Sequence, residues 1–342
     1  MPNFKLNFSD DFIEDGEGIQ IITDLQEMDD IITEDFLKDL PQELQQIVKE
    51  IKEKSKGNVC PKLKSDASGA FGSIEISKNI VKKVLGLIQP KHHKTLINAY
   101  KHKKKKSQLY FLINRLNNYC QDIKLFVKNT QKFFPNNFLN IYKCNLCKGQ
   151  QKRSLTPNVY VEMALGKGST LSDVLKQKTI SKKELESVFV QIYYISMTLN
   201  MKKLFHNDLK PANIIIAKSN KTIIYDTLKN NREFIKMNLP KGSYYPILID
   251  YDLCSKNEAE TVLAPQGAFI NPVTPDYSFF VATTEKIDSK QGKILNSLPE
   301  FDSNLEIKRG IVEMYNAMKK YNKVLTITHN QTGGKNKKRK SK

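Results

Sequence analysis

The chain has almost no arginine. Of its 55 basic residues only Arg115, Arg153, Arg232, Arg309 and Arg339 are Arg, and the other 50 are Lys. The planar guanidinium fork is the group that reads phosphates and guanine bidentately. A formal charge of +19 carried on lysine therefore argues against a dedicated nucleic-acid reader. It leaves a Lys-rich surface suited to weak contact with polyanions or nucleic acid. A chain rich in Lys, Asn and Ile is also what an AT-rich genome encodes. Long apolar runs are missing too. Nothing approaches the ~18 residues needed to span a bilayer, and no membrane partner is expected. The start, MPNFKLNFSDD, has no basic segment leading into an apolar one, so no secretory signal is visible. Five cysteines in 342 residues are few for a disulfide framework, which favours a reducing, intracellular compartment, cytoplasmic or nuclear. Acidic residues have a gap of their own. Between Glu75 and Glu162 there is no Glu, and Asp122 is the one acid.

What is present is unevenly placed. Residues 1–53 carry 15 acidic and four basic side chains, net −11, so the remainder carries +30. This marks an acidic N-terminal arm, residues 1–56, attached to a basic body. Within the arm, Pro41 and the spacing of Leu44, Ile47, Val48 and Ile51 predict an amphipathic helix that Gly57 ends. SIEIS and IVKKVL then read as two strands turning at Lys78 and Asn79. The stretch QPKHHKTLINAYKHKKKK, with His92, His93 and His102, reads as a basic loop. SQLYFLINRLNNYCQDIKLFVKNTQKF reads as one long helix, and NNFLNIYKC and PNVYVEMA as strands. After Gly166 and Gly168 the pattern becomes helical through about Met201. Residues 218–245 read as a polar insertion, and YPILIDYDL as a strand entering acidic residues. Residues 326–342 read as a basic disordered tail. Cys144-Asn-Leu-Cys147 is a single C-x-x-C. A zinc site needs a second pair, so these read as strand-end cysteines.

Two segments carry the chemistry: HNDLKPAN, residues 206–213, and ILIDYDL, residues 247–253. Together they resemble the catalytic core of a protein kinase, whose pattern is H-R-D-L-x-x-x-N followed by a strand ending D-F-G. The resemblance implies that Asp208 orients the acceptor hydroxyl and takes its proton. Lys210 would neutralise the transferring phosphate, as in serine/threonine enzymes, and Asn213 and Asp250 would hold Mg²⁺. ASGAFGSI, residues 67–74, resembles the glycine-rich phosphate loop, with Ala67 in place of its first glycine. Gly69 and Gly72 would let backbone amides approach ATP. The ATP lysine is Lys83 if the strand turn has two residues, or Lys82 if it has three. VYVEMALGKGSTLSDVL resembles the hinge. Val161 would be the gatekeeper, and Glu162, Met163 and Ala164 would offer backbone groups to adenine.

The resemblance implies an α+β, two-lobed fold over residues 57–325. A small β-rich N-lobe with one long helix covers about 57–163, and a mainly helical C-lobe about 164–325. The activity implied is ATP- and Mg²⁺-dependent phosphoryl transfer to Ser or Thr hydroxyls of a protein substrate. A small-molecule kinase, or a pseudokinase scaffold binding partners through its basic surface, is the alternative. The departures are specific. Asp122 is the one acid available for the family's helix Glu. Asn207 replaces the Arg of H-R-D, which removes the reader of an activation-loop phosphate. Asp252 replaces the Gly of D-F-G, and no A-P-E follows. Asp276 stands where a buried Asp would brace the catalytic loop. In style the chain resembles the reduced kinases of large DNA viruses.

Overall fold

The structure, a computed structural model, describes residues 42–64, 67–69, 72–86, 106–147, 158–229, 233–254, 262–263, 269–270, 276–301, 304–322 and 324–331. Most of the acidic arm, the basic stretch with His92, His93 and His102, and the tail beyond 331 lie outside the described residues. The fold is α+β with antiparallel sheets, and the chain divides into two compact units. Among the described residues no helix is long and apolar enough to cross a membrane.

The first unit takes in residues up to Lys124, Asn140–Leu165 and Leu263–Phe269. Helix α1 (Gln42–Ser55) ends before Gly57, which sits at φ 80 as a chain leaving a helix through a glycine does. Strands β1 (Ala67–Gly69), β2 (Gly72–Ser77) and β3 (Ile80–Gly86) precede the long helix α2 (Lys106–Phe133), whose last part belongs to the second unit. Strands β4 (Ile141–Cys147) and β5 (Asn158–Ala164) complete one antiparallel sheet of order β1-β2-β3-β5-β4. The β2–β3 turn has two residues, Lys78 and Asn79, because Ser77 pairs with Ile80. Side chains alternate along a strand, so this register decides the face of every residue on β3.

Four of the five cysteines are paired in this unit, Cys60 with Cys147 and Cys120 with Cys144, and Cys254 in the second unit is a buried thiol outside both disulfides. This corrects the reading of five cysteines as too few for disulfides, and removes that support for a reducing compartment. The C-x-x-C is not a metal loop either. Cys144 and Cys147 lie three apart on one strand, so they point to opposite faces of the sheet. One bonds α2, the other the segment before β1. Among the described residues no group of three or more His, Cys, Asp or Glu could hold a metal ion.

The second unit takes in Leu125–Leu139, Gly166–Val262 and Ile270–Lys342. Strand β6 (Ser169–Thr170) leads into α3 (Leu171–Gln177), capped by Thr170, whose hydroxyl accepts from the Asp173 N–H at 3.1 Å. Gly168 is required just before it, since a Cβ there would fall 2.1 Å from the Ile216 carbonyl oxygen. Helix α4 (Lys182–Met201) opens with a Ser181–Glu184 capping box and is buried on all sides from Ser187 onward. Strands β7 (Ile214–Lys218), β8 (Ile223–Lys229), β9 (Glu233–Leu239) and β10 (Tyr244–Leu248) follow. A short ribbon pairs β11 (Val262–Leu263) with β12 (Phe269–Ile270). Helices α5 (Asp276–Ile287), α6 (Ser289–Asn296), α7 (Asn304–Arg309) and α8 (Ile311–Tyr321) lead to β13 (Thr326–Gln331).

The segment read as a polar insertion is a folded hairpin. On β8 the residues Ile223, Tyr225 and Leu228 are buried, as are Ile235, Met237 and Leu239 on β9. A bulge between Tyr225 and Leu228 leaves backbone to be satisfied, and the Tyr194 hydroxyl accepts the Leu228 N–H at 2.8 Å. The Tyr225 hydroxyl donates to Gln191 Oε1 at 3.0 Å and accepts from Asn137 at 3.1 Å. Residues 326–331, read as the start of the tail, form β13 and complete this sheet in the order β13-β9-β8.

Candidate active site

Residues 206–213 form the turn between α4 and β7. Pro211 opens a single 3-10 turn, Pro211–Asn213, where its fixed φ is already suitable and its missing N–H costs nothing. The apolar Ile214 and Ile216 then run into a sheet of order β10-β7-β6. Leu248 pairs with Ile214, and the Ile249 N–H donates to the Asn213 carbonyl at 3.0 Å. This antiparallel pairing brings the end of β10, and so Asp250, beside the turn that carries Asp208. The β8–β9 hairpin that separates them in sequence is looped out.

The turn is braced from below. Both carboxylate oxygens of Asp276, at the start of α5, accept backbone N–H groups at 2.6 Å, Oδ2 from His206 and Oδ1 from Asn207. His206 is fully buried, and its Nε2–H donates to the Ile249 carbonyl at 2.9 Å. That fixes the tautomer with hydrogen on Nε2, and burial pulls the imidazole pKa down, which keeps it neutral. Nδ1 is then an acceptor without a hydrogen-bond partner among the described residues. The ring stands edge-on to Phe126 and Tyr251, at centroid distances of 6.4 and 6.0 Å. Two non-glycine residues hold left-handed backbone here, Asn207 at φ 60 and Asp250 at φ 68. Such conformations persist only where neighbours hold them.

Two side chains converge on one oxygen of Asp208. Asp208 Oδ2 lies 3.0 Å from Lys210 Nζ and accepts from Asn213 Nδ2 at 2.7 Å. Asn213 Nδ2 also donates to the Asp208 carbonyl at 3.0 Å. With its nitrogen so used, the Asn213 amide turns its oxygen to the other side. Burial pushes the Asp208 carboxyl pKa up, the Lys210 ammonium pulls it down, and the Asp250 charge adds a further upward push. The group is a carboxylate with a basic oxygen, aligned by a cation and an amide. Hard oxygen donors from Asp250 and Asn213 suit Mg²⁺, which takes one or two protein ligands and completes its shell with phosphate and water.

The remaining residues singled out in the sequence lie in the first unit. Gly69 and Gly72 face each other across the β1–β2 hairpin. Lys83 lies across from Ile74 and Val161, and Val161 lies across from Cys144. Cys144 is bonded to Cys120, so α2 is fastened over the sheet face that carries Lys83. Lys82 is on the opposite face, 3.0 Å from Glu75 Oε1 and across from Glu162. Asp122 is exposed on α2, about 200° around the helix from Cys120. Glu162, Met163 and Ala164 are paired in the sheet, and the Ala164 N–H already donates to the Asn140 carbonyl at 2.9 Å. The Leu165 N–H likewise donates to Asn79 at 2.9 Å. Two features were not read from sequence. The Tyr251 hydroxyl pattern has no signal in DYD, and the cysteine pairing cannot be deduced from spacing alone.

No protein-family model matches the chain. A stretch of 76 residues, 22% of the chain, is 36% identical to the serine/threonine-protein kinase unc-51 of Caenorhabditis elegans. The match covers 9% of that protein, so this chain is similar to a small part of it.

Proposed function

We propose that the protein is an ATP- and Mg²⁺-dependent phosphotransferase with a two-lobed, protein-kinase-like fold, acting on Ser or Thr hydroxyls of proteins. The observation that carries this reading is the convergence of Lys210 and Asn213 on Asp208 Oδ2, in a turn braced by Asp276. The partial likeness to unc-51 supports it. Asp208 accepts the proton of the incoming hydroxyl and holds that oxygen in line with the phosphorus. Lys210 offsets the charge that spreads over the transferring phosphoryl group. Asp250 and Asn213 would hold Mg²⁺, which when bound would offset the negative charge of the phosphates. In the first unit, Gly69 and Gly72 allow close approach of backbone N–H groups to ATP, and Lys83 pairs with its phosphates.

A second reading, a partner-binding scaffold without transfer, is favoured by one observation. The Ala164 N–H, which the hinge resemblance would offer to adenine, already donates to Asn140.

The two readings separate on labelled ATP. With Mg²⁺, the protein is expected to transfer the γ-phosphate to a Ser/Thr peptide library or to itself, in preference to a panel of small metabolites. Asp208→Asn should retain nucleotide binding and lose transfer by at least ~10²-fold, the usual scale for an acid–base group. Turnover unchanged in Asp208→Asn overturns the role given to Asp208, and no transfer by the wild type leaves the scaffold.

A further inference from the structure

Tyr251 directly follows Asp250, and its side chain does more than fill space. It is almost fully buried, with its ring packed on Phe126, Phe138 and His206 at centroid distances of 6.0, 6.1 and 6.0 Å. Its hydroxyl is used twice. It donates to the Leu248 carbonyl at 2.6 Å and accepts the Leu139 N–H at 2.8 Å. Leu248 is in turn held to the same segment, since its N–H donates to the Asn137 carbonyl at 2.8 Å and it forms a parallel bridge with Phe138. A phenylalanine would pack equally well but could make neither hydrogen bond.

The residues on both sides of Asp250 are therefore fixed. Before it, Ile249 gives its N–H to Asn213 and its carbonyl accepts from His206. After it, Tyr251 is held by ring and hydroxyl, and its carbonyl accepts the Cys254 N–H at 3.1 Å. Asp250, at φ 68 and ψ 68, occupies a left-handed conformation that an Asp adopts only at some cost. The residue after Tyr251 is Asp252, not glycine, so the backbone lacks the freedom a glycine would supply for reversing the segment.

We propose that the Tyr251 hydroxyl is a latch, a positioning device that holds Asp250 in its left-handed pose so that the carboxylate is fixed before any metal or nucleotide binds. This rests on the phosphotransferase reading for the use of Asp250, but the latch itself is a property of the empty protein. It goes with Asn207, which gives the turn no cation for reading a phosphorylated loop: the segment is held in place without an activating modification.

Two readouts test it. In nucleotide-free protein, the Leu139 amide should be protected from hydrogen exchange, and Tyr251→Phe should speed its exchange by about tenfold or more, the worth of one ordinary hydrogen bond. In the transfer assay, Tyr251→Phe should raise the free Mg²⁺ needed for half-maximal rate by a similar factor, with a smaller change in KM for the acceptor. Asp252→Gly leaves the ring and hydroxyl in place and serves as the second variant. It should speed exchange over residues 250–254 and raise the Mg²⁺ requirement. Active wild type, with both variants unchanged in exchange and in Mg²⁺ dependence, overturns the latch alone. Wild type without transfer overturns the phosphotransferase reading and the catalytic purpose of the latch with it, whatever the exchange rates show.

Discussion

Lys82 reaches back across the β2–β3 hairpin to Glu75, Nζ to Oε1 3.0 Å, while Lys83, one residue on, faces the other side of the sheet. A strand allows no compromise between the two, because its period is two residues. The two-residue turn at Lys78 and Asn79 selects Lys83 for the face on which Cys120 ties down α2. Lys83→Ala is therefore expected to lower ATP-dependent transfer by ~10²-fold or more, as loss of a charge aimed at the reacting phosphates does. Lys82→Ala should leave transfer within about threefold, since it breaks a partly exposed ion pair of little worth. Equal losses in a side-by-side kinetic comparison would mean that the strand register does not decide the lysine.

Asp122, exposed and about 200° around α2 from the Cys120 that is tied to the sheet, is expected to act independently of Lys83. It is the one acid between Glu75 and Glu162, and it sits on α2 two residues after Cys120. Asp122→Ala and Lys83→Ala should therefore be additive in kcat/KM, as should Asp122→Ala with Lys82→Ala. A double-mutant cycle in which Asp122→Ala and Lys83→Ala are non-additive would mean that Asp122 orients Lys83.

Asp276 is expected to matter for stability and rate together. Asp276→Ala leaves the His206 and Asn207 N–H groups without their acceptors, and His206 is fully buried. Two orphaned donors cost about 2–6 kcal/mol in sum. Asp276→Asn keeps one acceptor oxygen and should lose roughly half as much. Denaturant melts give the stability order, wild type above Asn above Ala. A ranking with Ala above Asn would show that the carboxylate is a strained charge rather than a brace.

The turn at residues 206–213 was legible because its polar residue types stand at close spacing. HNDLKPAN places Asp208, Lys210 and Asn213 within six positions, and the structure brings the side chains of Lys210 and Asn213 onto one oxygen of Asp208. The strands at 73–77, 80–85 and 158–164 were legible from β-branched content and turn residues. The β8–β9 hairpin was not, although TIIYDTLK and EFIKMNL alternate. A bulge after Tyr225 shifts the period midway, and Asn, Lys and Arg around the hairpin make its average polar. Strand β13 was missed because it pairs with a strand almost 100 positions earlier, a contact no local window contains. The cysteine pairs failed for the same reason, with partners 87 and 24 residues apart.

Those pairs make a measurable difference. Under denaturing, non-reducing conditions one thiol of five, that of Cys254, should titrate. The Cys60–Cys147 bridge closes the longer loop, with a separation of 87 residues, and chain entropy assigns it about 4–5 kcal/mol. The Cys120–Cys144 bridge, separation 24, is assigned about 3–4 kcal/mol. The second lies inside the loop closed by the first, so the two effects should sum to less than their separate values. Denaturant melts of Cys60→Ser and Cys120→Ser should show the former less stable. Five titratable thiols in protein purified without reductant would mean that neither bridge forms.

The last prediction concerns pH. Asp208 must be ionised to accept a proton, so transfer should fall as pH drops through its pKa. Burial lifts that pKa, the Lys210 ammonium opposes the lift, and Asp250 reinforces it, with burial the largest cause. The acid limb of kcat/KM is therefore expected above the ordinary aspartate value of about 4. Removing the opposing charge should raise it again, so Lys210→Ala shifts the limb to higher pH, and Lys210→Arg moves it back. Stability follows with the opposite appearance. A carboxyl whose folded pKa exceeds its unfolded one binds more protons when folded, so stability falls as pH rises from the unfolded value through the folded one. Lys210→Ala should widen that window at its upper end, and Asp208→Asn should abolish it. Measuring the rate limb and the pH dependence of unfolding on the same variants separates a charge acting on Asp208 from a lysine that only contacts substrate. If Lys210→Ala lowers the rate at every pH without moving either curve, Lys210 acts on the phosphate alone and the 3.0 Å contact to Asp208 has no electrostatic consequence.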